Sequence, residues 1–147
     1  MQAETLAKIA IIQSSLDLLR KHVDFDSAKD RLATLEAQAT ASDFWNDQAE
    51  AQRVMQEKNQ LERQLDAITS LQREMTDAVD LIELGAAEGD HEVVSEAETI
   101  LSSLVTIAEK RQLESLLSGE ADGNDCFVEI HAGAGGTEAQ DWAQMLL

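Results

Sequence analysis

Five apolar residues, Val54, Leu61, Ile68, Met75 and Ile82, fall at intervals of seven without a miss. An apolar period of seven sustained over about five heptads keeps one seam of a helix facing a partner helix, as in a coiled coil or a long helical hairpin. Leu65 and Val79 widen the stripe, and Asp47 followed by Glu50 matches a capping box at its start. The spacing predicts one helix over about 47–84, and any fold for this chain has to cover its seam.

The sequence offers its own partners. Gly85 and Gly89, with Glu88 and Asp90, interrupt the period, after which Val93, Ala97, Ile100, Leu104 and Ile107 resume a four-three alternation to about residue 117. Two long helices in an antiparallel hairpin follow from this. Upstream, Leu6, Ile9, Ile12, Leu16, Leu19 and Val23 recur at threes and fours and predict a helix over about 4–22. Asp26 stands at the N-cap position of a second helix, which carries Ala28, Leu32, Ala33 and Leu35 to about residue 38. The period breaks from Thr40 to Asp47, where the Phe44-Trp45 pair is expected to plug the end of the bundle. Proline and tyrosine are absent and aromatics are 3% of residues, a mixture that helices tolerate better than sheets.

From Ser118 to Asp125 the chain reads as turn formers without apolar anchors, which marks a boundary. Phe127, Val128 and Ile130 then suggest a short strand over 126–131. A glycine-rich turn follows over 132–136, and Thr137 with Gln140 opens a helix through a second capping-box match. A lone strand leaves its backbone groups unpaired, so this stretch reads as the start of a truncated α/β domain. The expected organisation is a mainly α protein. An N-terminal helical domain over 1–118, with its long coiled-coil-like hairpin, leads through a linker over 119–125 into the first strand and helix of an α/β domain over 126–147.

Charge narrows the partners. Asp and Glu number 29 against 11 Lys and Arg, a formal net charge of -18 and a pI near 4.2. Binding to nucleic acid through counterion release needs clustered cations, and no run of Lys and Arg is present, so a basic protein is the better electrostatic partner. Cys126 is the only cysteine, which excludes an internal disulfide and a zinc site built on several thiolates, and fits a reducing compartment. The apolar run from Ile9 to Ile12 is too short for a signal-peptide core, so no membrane segment is expected.

Each candidate site has a plainer account. Gly133, Gly135 and Gly136 between a strand and a helix could cradle an anion. No Lys follows, though, Glu138 and Asp141 would repel phosphate, and a tight turn alone explains the glycines. His131 and Glu129 share one strand face without a nucleophile beside them. His22 and His91 lie among charged residues, and Glu88, Asp90, His91 and Glu92 lack the spacing of a calcium or zinc motif. Cys126 has no nearby cation to activate it. Phe44, Trp45 and Trp142 could anchor a partner, but core packing is the preferred reading. No catalytic, cofactor or metal residue is assigned.

Several strings together resemble a known family. They are Asp24-Phe25-Asp26, Asp43-Phe44-Trp45-Asn46, Gly119-Glu120 and Asp125-Cys126, and then the run from Ala132 to Ala143, Ala-Gly-Ala-Gly-Gly-Thr-Glu-Ala-Gln-Asp-Trp-Ala. They look like the bacterial class I peptide chain release factors, and the Thr-Glu-Ala-Gln-Asp-Trp-Ala form resembles the factor 2 branch. The resemblance covers nearly the whole chain. It implies a translation termination factor acting in the cytoplasm on UGA and UAA codons, whose first, helical domain docks on the ribosome at the stalk-base ribosomal protein and nearby rRNA. It also implies that the Ser-Pro-Phe codon-reading motif and the Gly-Gly-Gln loop of peptidyl-tRNA hydrolysis lie outside residues 1–147. The absence of proline agrees with this, and Gly135-Gly136-Thr137 is not that loop. The expected role is therefore the N-terminal docking part, neither an enzyme nor a cofactor binder, which meets the mRNA stop codon only through the missing part. Two other readings stand beside it: an acidic coiled-coil interaction module unrelated to termination, with self-association through exposed heptad faces, and a small enzyme around His131 and Glu129.

Overall fold

The computed structural model describes residues 2–117 and, beyond them, Thr137, Asp141, Trp142 and Met145, all four helical. The chain divides into two compact units, Met1–Leu117 and Ser118–Leu147. The expected strand over 126–131 and the glycine turn over 132–136 lie outside the described residues.

The first unit contains, among the described residues, four α-helices and one 3-10 turn: α1 (Ala3–Val23), α2 (Phe25–Ala39), the turn Phe44–Asn46, α3 (Gln48–Glu88) and α4 (His91–Leu117). The 41-residue α3 is the spine, and it changes partners along its length. Its N-terminal part packs against α2, with Ala28 and Leu35 buried on α2 and Ala51, Val54 and Leu65 buried on α3. Its C-terminal part joins α1 and α4 in one core of Ile12, Leu16 and Leu19, of Ile68, Leu71, Met75, Ala78 and Ile82, and of Ala97, Leu101, Leu104 and Ala108. Of the five heptad residues only Leu61 stays partly exposed, near the point of exchange.

The second row of the α3 seam is Leu71, Ala78 and Gly85, each three residues after a heptad position; Val79, which the spacing favoured, is half-buried. Small residues in this row let α4 approach. A Cβ built on Gly85 would lie 3.0 Å from Val94 Cγ2 and 3.2 Å from the Asp90 carbonyl oxygen. Further from the turn, the Arg111 guanidinium donates to the Ala67 carbonyl.

The connection is tighter than the break over 85–90 suggested, because α3 continues to Glu88. Gly89 takes the left-handed conformation (φ 74°), and the Asp90 N–H donates to the Gly85 carbonyl at 2.8 Å, closing the helix end with a Schellman-type bond. Asp90 then caps α4, its Oδ1 accepting from the Glu92 and Val93 N–H groups at 3.1 Å each.

Four expectations need correction. On α1 the inward row is Thr5, Ile9, Ile12, Leu16 and Leu19, while Leu6 is 54% exposed. Thr5 continues the four-three spacing that Leu6 interrupts, and its hydroxyl donates to Glu98 Oε1 at 2.8 Å; Ser15, also buried, donates to Gln112 Oε1 at 2.9 Å. On α4 the buried row is Ala97, Leu101, Leu104 and Ala108, so Ile100 and Ile107 stand at its edge. Between α1 and α2 the boundary is Asp24, not Asp26. Asp24 sits at φ 52°, a left-handed position that Asp tolerates, and its carbonyl accepts from the Ala28 N–H at 2.8 Å. On α2 itself, Ala33 is exposed.

Candidate interaction surfaces

The described surface offers two helix corners, one of them with an open cleft, and a further cleft between helix ends. At the α1–α2 corner an open cleft of about 400 Å³ is lined by Arg20, Lys21, Asp24, Phe25 and Asp26. The Arg20 guanidinium carbon lies 5.2 Å from the Phe25 ring centroid and Lys29 Nζ lies 4.7 Å from it. These cation–π contacts are the ring's electrostatic partners. Arg20 Nε is buried there without a hydrogen-bond acceptor. In the sequence Lys29 stands nine residues after Arg20, and the sharp reversal at Asp24 brings the two to one ring.

The α2–α3 corner is built differently. The Thr40 N–H returns to the Glu36 and Ala37 carbonyls at 3.3 Å each, and the 3-10 turn closes with the Asn46 N–H donating to the Asp43 carbonyl at 3.0 Å. Asp47 caps α3 with its side chain accepting from the Glu50 N–H at 3.1 Å, the forward half of the capping box. Phe44 is half-buried, and the Trp45 ring stands edge-on to it, with centroids 4.9 Å apart and planes at 82°. Trp45 is 66% exposed, so the pair does not plug the bundle. A turn of three residues between two helices has room to anchor one ring inward, and Phe44 takes that place. Trp142 is likewise exposed, which corrects the core-packing expectation for it.

The further cleft lies between the C-terminal ends of α1 and α4, about 200 Å³ lined by Leu18, Leu19, His22, Gln112, Ser115 and Leu116. His22 therefore borders an apolar surface. His91 is the exposed first residue of α4 and stays apart from it. No group of His, Cys, Asp and Glu suited to a metal ion occurs among the described residues, and no described helix is long and apolar enough to cross a membrane. Cys126, Glu129, His131, Gly133, Gly135 and Gly136 lie outside the described residues.

The remaining cations are largely tied to the chain's own carboxylates. Arg31 of α2 meets Glu57 of α3 through two bonds, Nε to Oε1 at 2.6 Å and Nη2 to Oε2 at 2.8 Å. That hydrogen bonding holds the Glu57 carboxyl below its ordinary range and raises the Arg31 guanidinium, against the cost of burial. Hydrogen bonding to Lys8 lowers Glu4, and hydrogen bonding to Glu62 raises Lys58. Arg53 bonds Glu50, and Lys110 pairs with Glu114. These are exposed or half-buried contacts, worth little each, but they leave few free cations on a strongly acidic surface.

The PCRF domain family matches residues 28–147. Proteins named peptide chain release factor 2 align along the whole chain: that of Paramagnetospirillum magneticum is 49% identical over 147 residues and that of Rickettsia bellii 47% over 147. That of Ruegeria is 44% identical over 146 residues, 99% of the chain. The chain spans about 40% of the length of these curated relatives. With the family match covering most of the sequence and this similarity running from end to end, the chain belongs to the peptide chain release factor family, in its release factor 2 branch, through its PCRF domain.

Proposed function

We infer that these residues form the N-terminal, ribosome-docking part of a translation termination factor. The observation that carries this reading is the end-to-end alignment, at 49% identity over all 147 residues, with a protein named peptide chain release factor 2. The first unit supports it physically: a helical body on a chain of net charge -18 presents exposed aromatic and acidic groups, which suits a basic ribosomal protein at the stalk base, with contact to nearby rRNA. The α3–α4 pair acts as a coiled-coil-like hairpin that stiffens this body. Residues 119–125 link it to 126–147, the opening of an α/β domain.

Codon reading at UGA and UAA and peptide release belong, in this proposal, to the portion of the relatives that the chain does not span. Residues 1–147 hold neither a Ser-Pro-Phe nor a Gly-Gly-Gln sequence. The protein works in the cytoplasm, where ribosomes are. The alternative of an unrelated self-associating module has less support, because four of the five heptad residues are buried within the chain and pairing through them would open the bundle.

The test is cosedimentation of the chain with ribosomes across a salt series, with a charge-matched acidic helical protein as control. Binding above the control supports docking. Failure to sediment with ribosomes even at low salt overturns it.

A further inference from the structure

Resting on the docking reading, we propose that Trp45 and Asp43 form the contact point for an arginine or lysine side chain of a basic protein partner. The argument begins with a contrast between the two helix corners. At the α1–α2 corner the aromatic ring brings its own cations, Arg20 and Lys29 over Phe25. At the α2–α3 corner the ring is an indole, the strongest cation–π acceptor among side chains, and no described cation lies over it. Residues 40–52 hold Asp43, Asp47 and Glu50 and not one Lys or Arg. Of these acids, Asp47 is occupied in capping α3 and Glu50 binds Arg53. The Asp43 carboxylate has no partner among the described residues. An exposed indole two residues along the same turn from a carboxylate with no partner among the described residues suits a cation supplied from outside.

The geometry also prepares the ring for binding. The turn is pinned by the Phe44 N–H on the Ala41 carbonyl at 3.1 Å and the Asn46 N–H on the Asp43 carbonyl at 3.0 Å. The Phe44 ring holds the indole edge-on, so little side-chain freedom remains to be lost when a partner arrives. A nucleobase could stack on the same ring, but the acids around it repel the phosphates that would come with it.

The experiment uses the full chain and ribosomes. Cosedimentation is measured for wild type, W45A, W45L and D43N, with thermal unfolding showing that each variant keeps its fold. In a W142F background, Trp45 becomes the sole indole emitter. W45A and W45L should weaken binding alike, by about 10-fold, because leucine keeps apolar area but no π face. D43N should weaken binding a few-fold at low salt, and the Trp45 emission should change on mixing with ribosomes. If wild type fails to sediment, the docking reading itself falls and this proposal with it. If wild type sediments and W45A matches it, docking stands and the Trp45 site is overturned. Wild-type-like binding by W45L, or tighter binding by D43N, replaces the cation site with an apolar contact or a base stack and overturns it as well.

Discussion

The position of the α4 seam can be tested with two adjacent residues. Leu101 is 0% exposed within the core, whereas Ile100, the residue that the apolar spacing favours, is 38% exposed. Replacing Leu101 by Ala removes about 2 kcal/mol of transfer free energy and adds about 1–2 kcal/mol for a cavity among rigidly packed neighbours. The expected cost is about 3–4 kcal/mol. Replacing Ile100 loses about 1–1.5 kcal/mol of partial burial with no enclosed cavity, and the higher helix propensity of Ala returns about 0.4 kcal/mol. Its cost should be about 1 kcal/mol or less. For a helical unit of this size each kcal/mol corresponds to about 4 °C in Tm, so L101A should melt roughly 12–16 °C below wild type and I100A within about 4 °C of it. Helix signal at 222 nm against temperature, backed by urea unfolding with unchanged slopes, reads the difference. If I100A costs as much as L101A, the described register of α4 is wrong and the seam runs through Ile100 and Ile107.

Other contacts give smaller, directed effects. T5V and S15A each remove a buried hydroxyl donor from an α1–α4 hydrogen bond and should cost about 1 kcal/mol in urea unfolding. A neutral result for both would show that α1 is placed by its apolar row alone. D90A removes both N-cap bonds of α4 and should cost about 1 kcal/mol; G89A should cost a similar amount from φ alone, since a Cβ there meets nothing within 4 Å. The Glu57 carboxyl is depressed by Arg31, so the pair's contribution is full above the ordinary glutamate value of 4.5 and lost as pH falls through the lower folded value. A carboxyl titration by NMR should place Glu57 below the other glutamates in wild type and return it to their range in R31Q.

Much of the helical plan is visible in the residues because the heptad on α3 is long and faces partners on every turn. What the apolar pattern hides is where a seam runs when its members are small or polar. Thr5 and Ser15 hold inward positions on α1 that a hydrophobic count assigns to Leu6 or leaves blank, and only their hydrogen bonds to Glu98 and Gln112 make that burial tolerable. Asp24 could be suspected from the Asp-Phe-Asp string, but its left-handed backbone depends on two helices meeting with one residue between them. The exposure of Trp45 was legible only as an alternative, since nothing in the residues says which of two adjacent rings the turn anchors inward. The glycine-rich turn over 132–136, the most telling string for the family, lies outside the described residues, and it points to the family through resemblance alone.

The displaced seam and the exposed apolar residues have one cause. Ala78 and Gly85 on α3 and Ala97 and Ala108 on α4 are buried residues with little or no side chain, and such positions draw two helix backbones together. Closely approached helices enclose a narrow row, so the larger residues beside it are left at the rim: Ile100 and Ile107 on α4, and Leu81 and Leu84 on α3, all at least 38% exposed. Enlarging the seam should reverse this economy. A Leu at Ala108, which is fully buried, has no space to enter, and overpacking of this kind costs about 1–3 kcal/mol. If A108L instead stabilises the unit in urea, the helices are not closely packed there, and the small residues owe their place to something other than the approach of α3 and α4.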